Sequence, residues 1–207
     1  MNILRKNINF TIFSMAILLF AFCVKPKVNV SIPKEEKRLS KDETLTQLSF
    51  SAVKAIQEGE ISNLIVLLHP TKGVLFSPYA YIDEQINPTL SREQIGKYYG
   101  DSTVINFGVY DGSGDLIRMD LKSFLDVFIS KYNFTKAPKV SINQYNGTGN
   151  SPSNILEKFP DSEFVEYYYD GFNKVYEGMD WQALRIVWEK DDDSWYIIAI
   201  IKDCWTI

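Results

Sequence analysis

The closing segment, residues 163–207, constrains the fold most strongly because turn-forming residues divide it into three strand-like runs. These runs, 163–170, 181–189 and 195–207, are rich in the β-branched and aromatic residues that favour strands. The middle run alternates between an apolar and a polar face, whereas the last is apolar on both faces, which is typical of a central strand. The polar residues 190–194 predict a hairpin loop between these two runs. The sequence therefore predicts an antiparallel sheet at the centre of the domain.

The distribution of charge argues against a nucleic-acid-binding protein. The chain carries a formal net charge of −4. Residues 1–40 are net basic, so the remainder is strongly acidic and lacks the basic face that phosphates require. Because 45% of the residues are hydrophobic, the chain can bury a sizeable core.

The amino terminus has the pattern of an export signal. Arg5 and Lys6 precede an apolar run, residues 10–22, which is shorter than the roughly 20 residues of a membrane-spanning helix. We therefore interpret residues 1–23 as a signal peptide. An uncleaved anchor helix over residues 8–24 is the alternative.

Residues 18–23, Leu-Leu-Phe-Ala-Phe-Cys, resemble a bacterial lipoprotein signal. The resemblance implies that Cys23 is lipidated and anchors the protein in a membrane of the cell envelope. Phe22 departs from the pattern, in which a small residue precedes the cysteine, so cleavage without lipidation, giving a secreted or periplasmic protein, stays open. Residues 24–40 are rich in lysine and proline and predict a flexible tether with a reach of about 55 Å.

The middle of the chain predicts helices followed by strands. Helix starts with capping residues are predicted at Ser40, Ser91 and Asp120, the last opening a helix over residues 121–132. A short helix is also predicted over residues 60–68. The other predicted strands are 72–82, at a sheet edge because of Pro78, and the pair 103–110 and 116–119. Helices followed by antiparallel strands indicate an α+β domain with helices on one face of a curved sheet.

Several motifs resemble known proteins. The order of elements, with two opening helices that end in His69-Pro70, is similar to the NTF2-like (cystatin-like) proteins. The segments 69–78, 110–114, 176–181 and 202–207 resemble a group of bacterial envelope lipoproteins. The resemblance implies that residues 41–207 form an NTF2-like cone, in which N-terminal helices pack on a curved antiparallel sheet. NTF2-like domains include enzymes, small-molecule binders and interaction modules, so the fold does not select a function.

Two residues are the main candidates for acid–base chemistry. His69 is the only histidine, and it could act as a general base or simply bond free carbonyls at a helix end. Asp203 shares a face with apolar strand residues, where an unpaired carboxylate is costly. It could act as a base or bind a polar ligand group in a pocket, or it could form an ion pair with Arg185 or Lys202. An enzyme would require His69 and Asp203 within about 10 Å of each other. Further candidates are Tyr168 and Tyr98 for acid–base roles and Arg185, Trp205 and Tyr98 for ligand contact.

Two loops resemble ligand-binding motifs only in part. Residues 111–115 look like the start of a calcium loop, but Lys122 occupies the position of the bidentate acid, so we predict a hairpin turn. Residues 146–150 could cradle a phosphate but lack the rest of a P-loop, so we predict an ordinary loop. The sequence predicts no metal site and no cofactor, and Cys204 is expected to be inert core.

The function expected from these observations is a non-enzymatic binding or structural module of the cell envelope, held at a membrane by an N-terminal lipid or anchor helix. An aromatic cluster offers a surface for a protein partner or a small ligand; its members are Tyr167, Tyr168, Tyr169, Phe172, Tyr176 and Trp181. The alternatives are a small-molecule carrier and a pocket enzyme that uses Asp203 and His69. Homodimerisation through the sheet is also left open.

Overall fold

The computed structural model describes residues 39–147 and 149–206. The predicted signal peptide, the site of lipidation at Cys23 and almost all of the tether lie outside these residues. The described part falls within one unit, Arg38–Ile207. None of the helices in this part is both long and apolar enough to cross a membrane.

Two helices open the domain, and the sequence sets their ends. Helix α1 (Lys41–Glu58) begins at the predicted capping box, in which Ser40 Oγ accepts a hydrogen bond from the amide of Glu43 and the Glu43 carboxylate accepts one from the amide of Ser40. It ends at Gly59, which adopts the left-handed conformation with φ 70°. Helix α2 (Ile61–Ile65) follows directly. The buried apolar stripe of α1 packs into the larger of two apolar clusters, which we call the main core and which lies between the helices and one face of the sheet.

Three further α-helices lie between the strands of the described part, together with 3-10 turns at Phe134–Lys136 and Lys174–Tyr176. Helix α3 (Arg92–Asp101) has the predicted capping box at Ser91, and α5 (Ile155–Lys158) is a single turn. Helix α4 (Leu121–Phe124) starts at Asp120 as predicted but continues as a π-helix over Leu125–Ser130. The helix predicted over 121–132 is therefore present over 121–130, but its second part is π-helical, which the sequence did not predict. An apolar repeat of three to four residues does not distinguish the two kinds of turn.

The main sheet has six strands within the described residues, and they are β1 (Val74–Ser77), β2 (Thr89–Leu90), β5 (Lys139–Ile142), β6 (Glu163–Tyr169), β7 (Gln182–Asp191) and β8 (Ser194–Cys204). Their order across the sheet is β2-β1-β8-β7-β6-β5. Strands β3 (Val104–Val109) and β4 (Leu116–Asp120) form a separate antiparallel pair. The expected tight turn joins them.

Two details of the predicted sheet need correction. The sheet is mixed, because β1 runs parallel to β8 while all other neighbours are antiparallel. Strand β1 also lies between β2 and β8, so the prediction of an edge strand is wrong. Pro78 is compatible with this position because it follows the last residue of β1, where its missing N–H removes no ladder hydrogen bond.

Both faces of the sheet are covered, as the double-sided apolar pattern of the last strand predicted. Helices α1 to α4 cover one face, which we call the helix face, and a second apolar cluster with Ile155 of α5 and Phe164 covers the opposite face, which we call the loop face. The register shifts between Val187 and Trp188, where Ile198 of β8 is left without a partner, so β8 carries a β-bulge at this point. The structure thus confirms the α+β class, with N-terminal helices packed on a curved sheet that is mainly antiparallel.

Candidate functional site

His69 and Asp203 lie at opposite ends of β8. The His69 amide donates to the carbonyl of Ile197 near the start of the strand, whereas Asp203 lies six residues further along. At roughly 3.3 Å per residue this separates the two residues by about 20 Å. The structure therefore does not bring the proposed acid–base pair together.

The surroundings of His69 match its structural interpretation. Its Nδ1 accepts hydrogen bonds from the amides of Thr71 and Lys72, at 3.3 Å and 3.1 Å. These bonds leave the proton on Nε2, which lies 3.8 Å from Oδ2 of Asp191. The imidazole thus closes the turn that follows α2.

The other predicted residues are also dispersed. Tyr98 lies on α3 and packs against the main core, with Lys97 Nζ 5.8 Å from its ring centre. Trp205 follows the end of β8 and is exposed. Tyr168 lies on the loop face in the same cross-strand row as Asp203, two strands away, and its ring is 6.0 Å from that of Trp181. Only Asp203 and Arg185 are in direct contact.

Three charged side chains meet on the loop face, one from each of three adjacent strands. Arg185 on β7 donates from Nε to Glu166 Oε2 on β6 and from Nη2 to Asp203 Oδ2 on β8, each at 2.7 Å. All three residues are buried. Strand register explains the meeting, since Glu166 pairs directly with Arg185 and Asp203 is its diagonal neighbour on the same face.

The loop between β5 and α5 covers this charged cluster. The Tyr145 ring stacks over Arg185, with its centre 4.8 Å from the guanidinium carbon. Asn146 donates to Glu166 Oε1 from both its backbone amide and its side chain, at 2.7 Å and 2.8 Å. Gly147 lies against the indole of Trp181, so closely that an added Cβ would be 2.3 Å from the ring. The loop is therefore held by the hydrogen bonds of Asn146 to Glu166 and by the packing of Gly147 against Trp181.

A small cleft opens between this loop and the cluster. Its volume is about 230 Å³, and Arg185, Asp203 and Ser153 contribute to its walls. Arg185 Nη1 and Ser153 Oγ are both buried and have no hydrogen-bond partner in the described part of the chain. A buried donor without an acceptor costs about 1–3 kcal/mol, more for a charged group, so native structures rarely keep one. Ordered water or a ligand atom can satisfy such groups.

The electrostatics of the cluster are set by burial. Desolvation raises the pKa of the Asp203 carboxyl above its ordinary value, although the charge of Arg185 opposes the shift. Two carboxylates already surround the one guanidinium, so the cluster carries a net negative charge when both are ionised. A ligand that adds a further negative charge is disfavoured there.

A buried lysine lies on the helix face near the same end of β8. Lys202 Nζ donates to Gln182 Oε1 and to the carbonyl of Asp203, both at 2.6 Å. Aromatic rings approach it, with the ring centres of Tyr132 and Phe134 5.8 Å and 5.9 Å from Nζ. Burial lowers the pKa of Lys202 to about 8.

Sequence reasoning missed Glu166 and the covering loop. The signal for Glu166 was present, because the period of β6 places this acid on the same face as Phe164, in the manner that singled out Asp203. The loop gave no such signal, since its contact with Arg185 depends on how residues 143–147 fold back over the sheet. Within the described residues, no group of three or more His, Cys, Asp or Glu side chains is placed to hold a metal ion.

Comparisons with known proteins give structural likenesses only. No protein-family model and no curated protein matches the chain. Among solved structures, an NTF2-like protein from Cytophaga hutchinsonii is 13% identical with a TM-score of 0.38, covering 80% of this chain and 99% of that one. A cystatin-like fold protein from Nostoc punctiforme is 10% identical with a TM-score of 0.36, covering 81% and 94%.

A third structure, a putative calcium/calmodulin-dependent protein kinase II association domain from Xanthomonas campestris, is 18% identical with a TM-score of 0.36, covering 80% of this chain and 89% of that one. The order of elements and the sheet topology of the chain itself define its α+β class.

Proposed function

We propose that this chain is a non-enzymatic binding module of the cell envelope, and that the cleft at Arg185 is its ligand site. The observation that carries the proposal is Arg185, which lines the cleft and whose buried Nη1 has no acceptor among the described residues. The opposite edge of the guanidinium is held by Glu166 and Asp203, so Nη1 is fixed in direction. A fixed, desolvated donor binds a ligand acceptor at little entropic cost.

The cleft favours binding over catalysis. Among the described residues that line it, the ionisable side chains are Arg185, Asp203 and Tyr145. Asp203 is bonded to Arg185, and the ring of Tyr145 is stacked on the guanidinium. A general base must reach a substrate proton, and His69 lies at the other end of β8.

The location of the module is proposed from the amino terminus. The positive start at Arg5 and Lys6, the apolar run and the cysteine at position 23 support export and attachment to a membrane. The lysine- and proline-rich residues 24–40 support a tether that holds the domain away from the bilayer.

Native mass spectrometry of the full chain, extracted from cells without refolding, tests the binding proposal. We expect extra non-covalent mass that disappears on denaturation, and we expect Ser153→Ala to lose it while retaining the folded charge-state distribution. Ser51→Ala, at an exposed position on α1 that lines neither the cleft nor its neighbouring groove, is the matched control. A bare protein mass in freshly isolated wild type would contradict the proposal.

A further inference from the structure

We infer that the ligand is a neutral saccharide that carries an acetamido group, bound with the acetamido oxygen on Arg185 Nη1 and the sugar rings along a neighbouring tyrosine-lined groove. This inference rests on the proposed function and adds the chemical class of the ligand and a second binding surface. Three properties of the structure support it: the charge of the cluster, the size of the cleft and the lining of the groove.

The charge of the cluster selects a neutral acceptor. A ligand anion would meet the carboxylates of Glu166 and Asp203, which already pair with the guanidinium. A ligand cation would meet the unpaired N–H of Arg185, which can only donate. An amide or hydroxyl oxygen satisfies Nη1 without adding charge, and the unpaired Ser153 hydroxyl can donate to the same oxygen or accept from a ligand N–H.

The size of the cleft limits what enters it. About 230 Å³ is below the roughly 300–1,000 Å³ of typical small-molecule pockets, so it admits a substituent rather than a whole ligand. The rest of the ligand must continue outside. Ser151 lies in the wall of the cleft and also in the wall of a second groove of about 480 Å³. The two spaces are therefore neighbours across one residue.

The lining of the second groove suits sugar rings. Tyr81 and Tyr110 remain 55% and 38% exposed there, which leaves ring surface available for stacking against the C–H face of a sugar. Asp83 and Ser113 add side-chain oxygens to the same walls, whereas the Asn87 side chain is buried and already bonds the Asp83 amide and the Phe107 carbonyl. Hydroxyl groups can donate to such oxygens. The groove also contains a second acid, Asp111, which again disfavours an anionic ligand.

The test is calorimetric titration of the full chain with three β-1,4-linked tetramers, those of N-acetylglucosamine, glucosamine and glucose. The protein is kept in a zwitterionic detergent, because sugar-based detergents could occupy the groove. We expect the acetylated tetramer to bind at least tenfold more tightly than either of the others, since only it offers an acetamido oxygen to Nη1.

Variants separate the two parts of the site. We expect Ser153→Ala and Tyr81→Ala each to weaken binding of the acetylated tetramer at least fivefold. Tyr176→Ala is the matched control, because Tyr176 is a similarly exposed tyrosine that lines neither space, and we expect less than a twofold change. Equal binding of the three tetramers, no binding, or equal effects of the two tyrosine variants would overturn the inference.

The experiments can reject the saccharide inference and the binding proposal separately. If native mass spectrometry finds a ligand that Ser153→Ala releases and that contains no sugar, such as a peptide, the saccharide inference fails and the binding module stands. If freshly isolated wild type has a bare mass and no tetramer binds, both fail.

Discussion

Arg185 and Asp203 lie on neighbouring strands with Nη2 of the arginine 2.7 Å from Oδ2 of the aspartate, and both side chains are buried. With Glu166 on the other side, the arginine joins three adjacent strands of the sheet. Buried ion pairs are costly to desolvate and become strongly unfavourable when one partner is removed. The stability of the domain should therefore depend on the charge at position 185.

Replacing Arg185 tests this dependence. We expect Arg185→Leu to lower the free energy of unfolding by about 3–5 kcal/mol, because Glu166 and Asp203 are left buried without a counter-charge. Lys72→Met is the control, since it removes an exposed ion pair with Glu189 and should cost no more than about 1 kcal/mol. Urea denaturation of the full chain measures both. Similar losses in the two variants would contradict the account.

The close contact between Gly147 and Trp181 predicts that a larger residue at position 147 destabilises the domain. A Cβ at position 147 would lie 2.3 Å from the indole, so the loop or the ring must move. We expect Gly147→Ala to lower the free energy of unfolding by about 1–3 kcal/mol, as overpacking does. Gly100→Ala, whose Cβ would meet open space near the end of α3, should be neutral or stabilising by up to about 1 kcal/mol. Urea denaturation again compares the two variants. An unchanged free energy of unfolding in Gly147→Ala would show that the contact is not tight.

Lys202 predicts a dependence of stability on pH. Burial lowers its pKa from 10.5 to about 8, so between these values the unfolded chain binds more protons than the folded one. The free energy of unfolding should therefore rise with pH, by about 2 kcal/mol from about pH 7.5 to about pH 9.5 for this group alone.

The variant Lys202→Met should remove this part of the slope, whereas Lys54→Met, at an exposed ion pair with Glu58, should retain it. Denaturant titrations across this pH interval compare the three proteins. A slope that is unchanged in Lys202→Met would show that the lysine does not titrate in this range.

The bond between Trp188 and Ser49 predicts a loss in the main core. The indole Nε1 donates to Ser49 Oγ at 2.7 Å, and both residues are fully buried. We expect Ser49→Ala to lower the free energy of unfolding by about 1–3 kcal/mol, because the indole N–H loses its acceptor. Ser51→Ala, at an exposed position on the same helix, should change it by less than about 0.5 kcal/mol. Thermal denaturation compares the two variants. Equal midpoint temperatures would show that the bond between Trp188 and Ser49 does not stabilise the core.

The sequence predicted the fold better than the site. Periodicity and capping residues act locally, so α1 and the two-sided burial of β8 followed directly from them. The parallel pairing of β1 with β8 did not, because it joins segments about 125 residues apart through no local signal. Asp203 and Arg185 were individually recognised, but their contact depends on strand register. The cleft depends in addition on a loop whose path the sequence does not encode by any periodic pattern.

A high-resolution crystal structure of the full chain, as isolated from cells, tests the central claim most directly. The account predicts that an acceptor atom of a bound organic molecule lies about 2.7–3.2 Å from Arg185 Nη1, within reach of Ser153 Oγ. Ordered water alone on both groups, or a loop that has closed the cleft and supplies its own acceptor to Nη1, would contradict it.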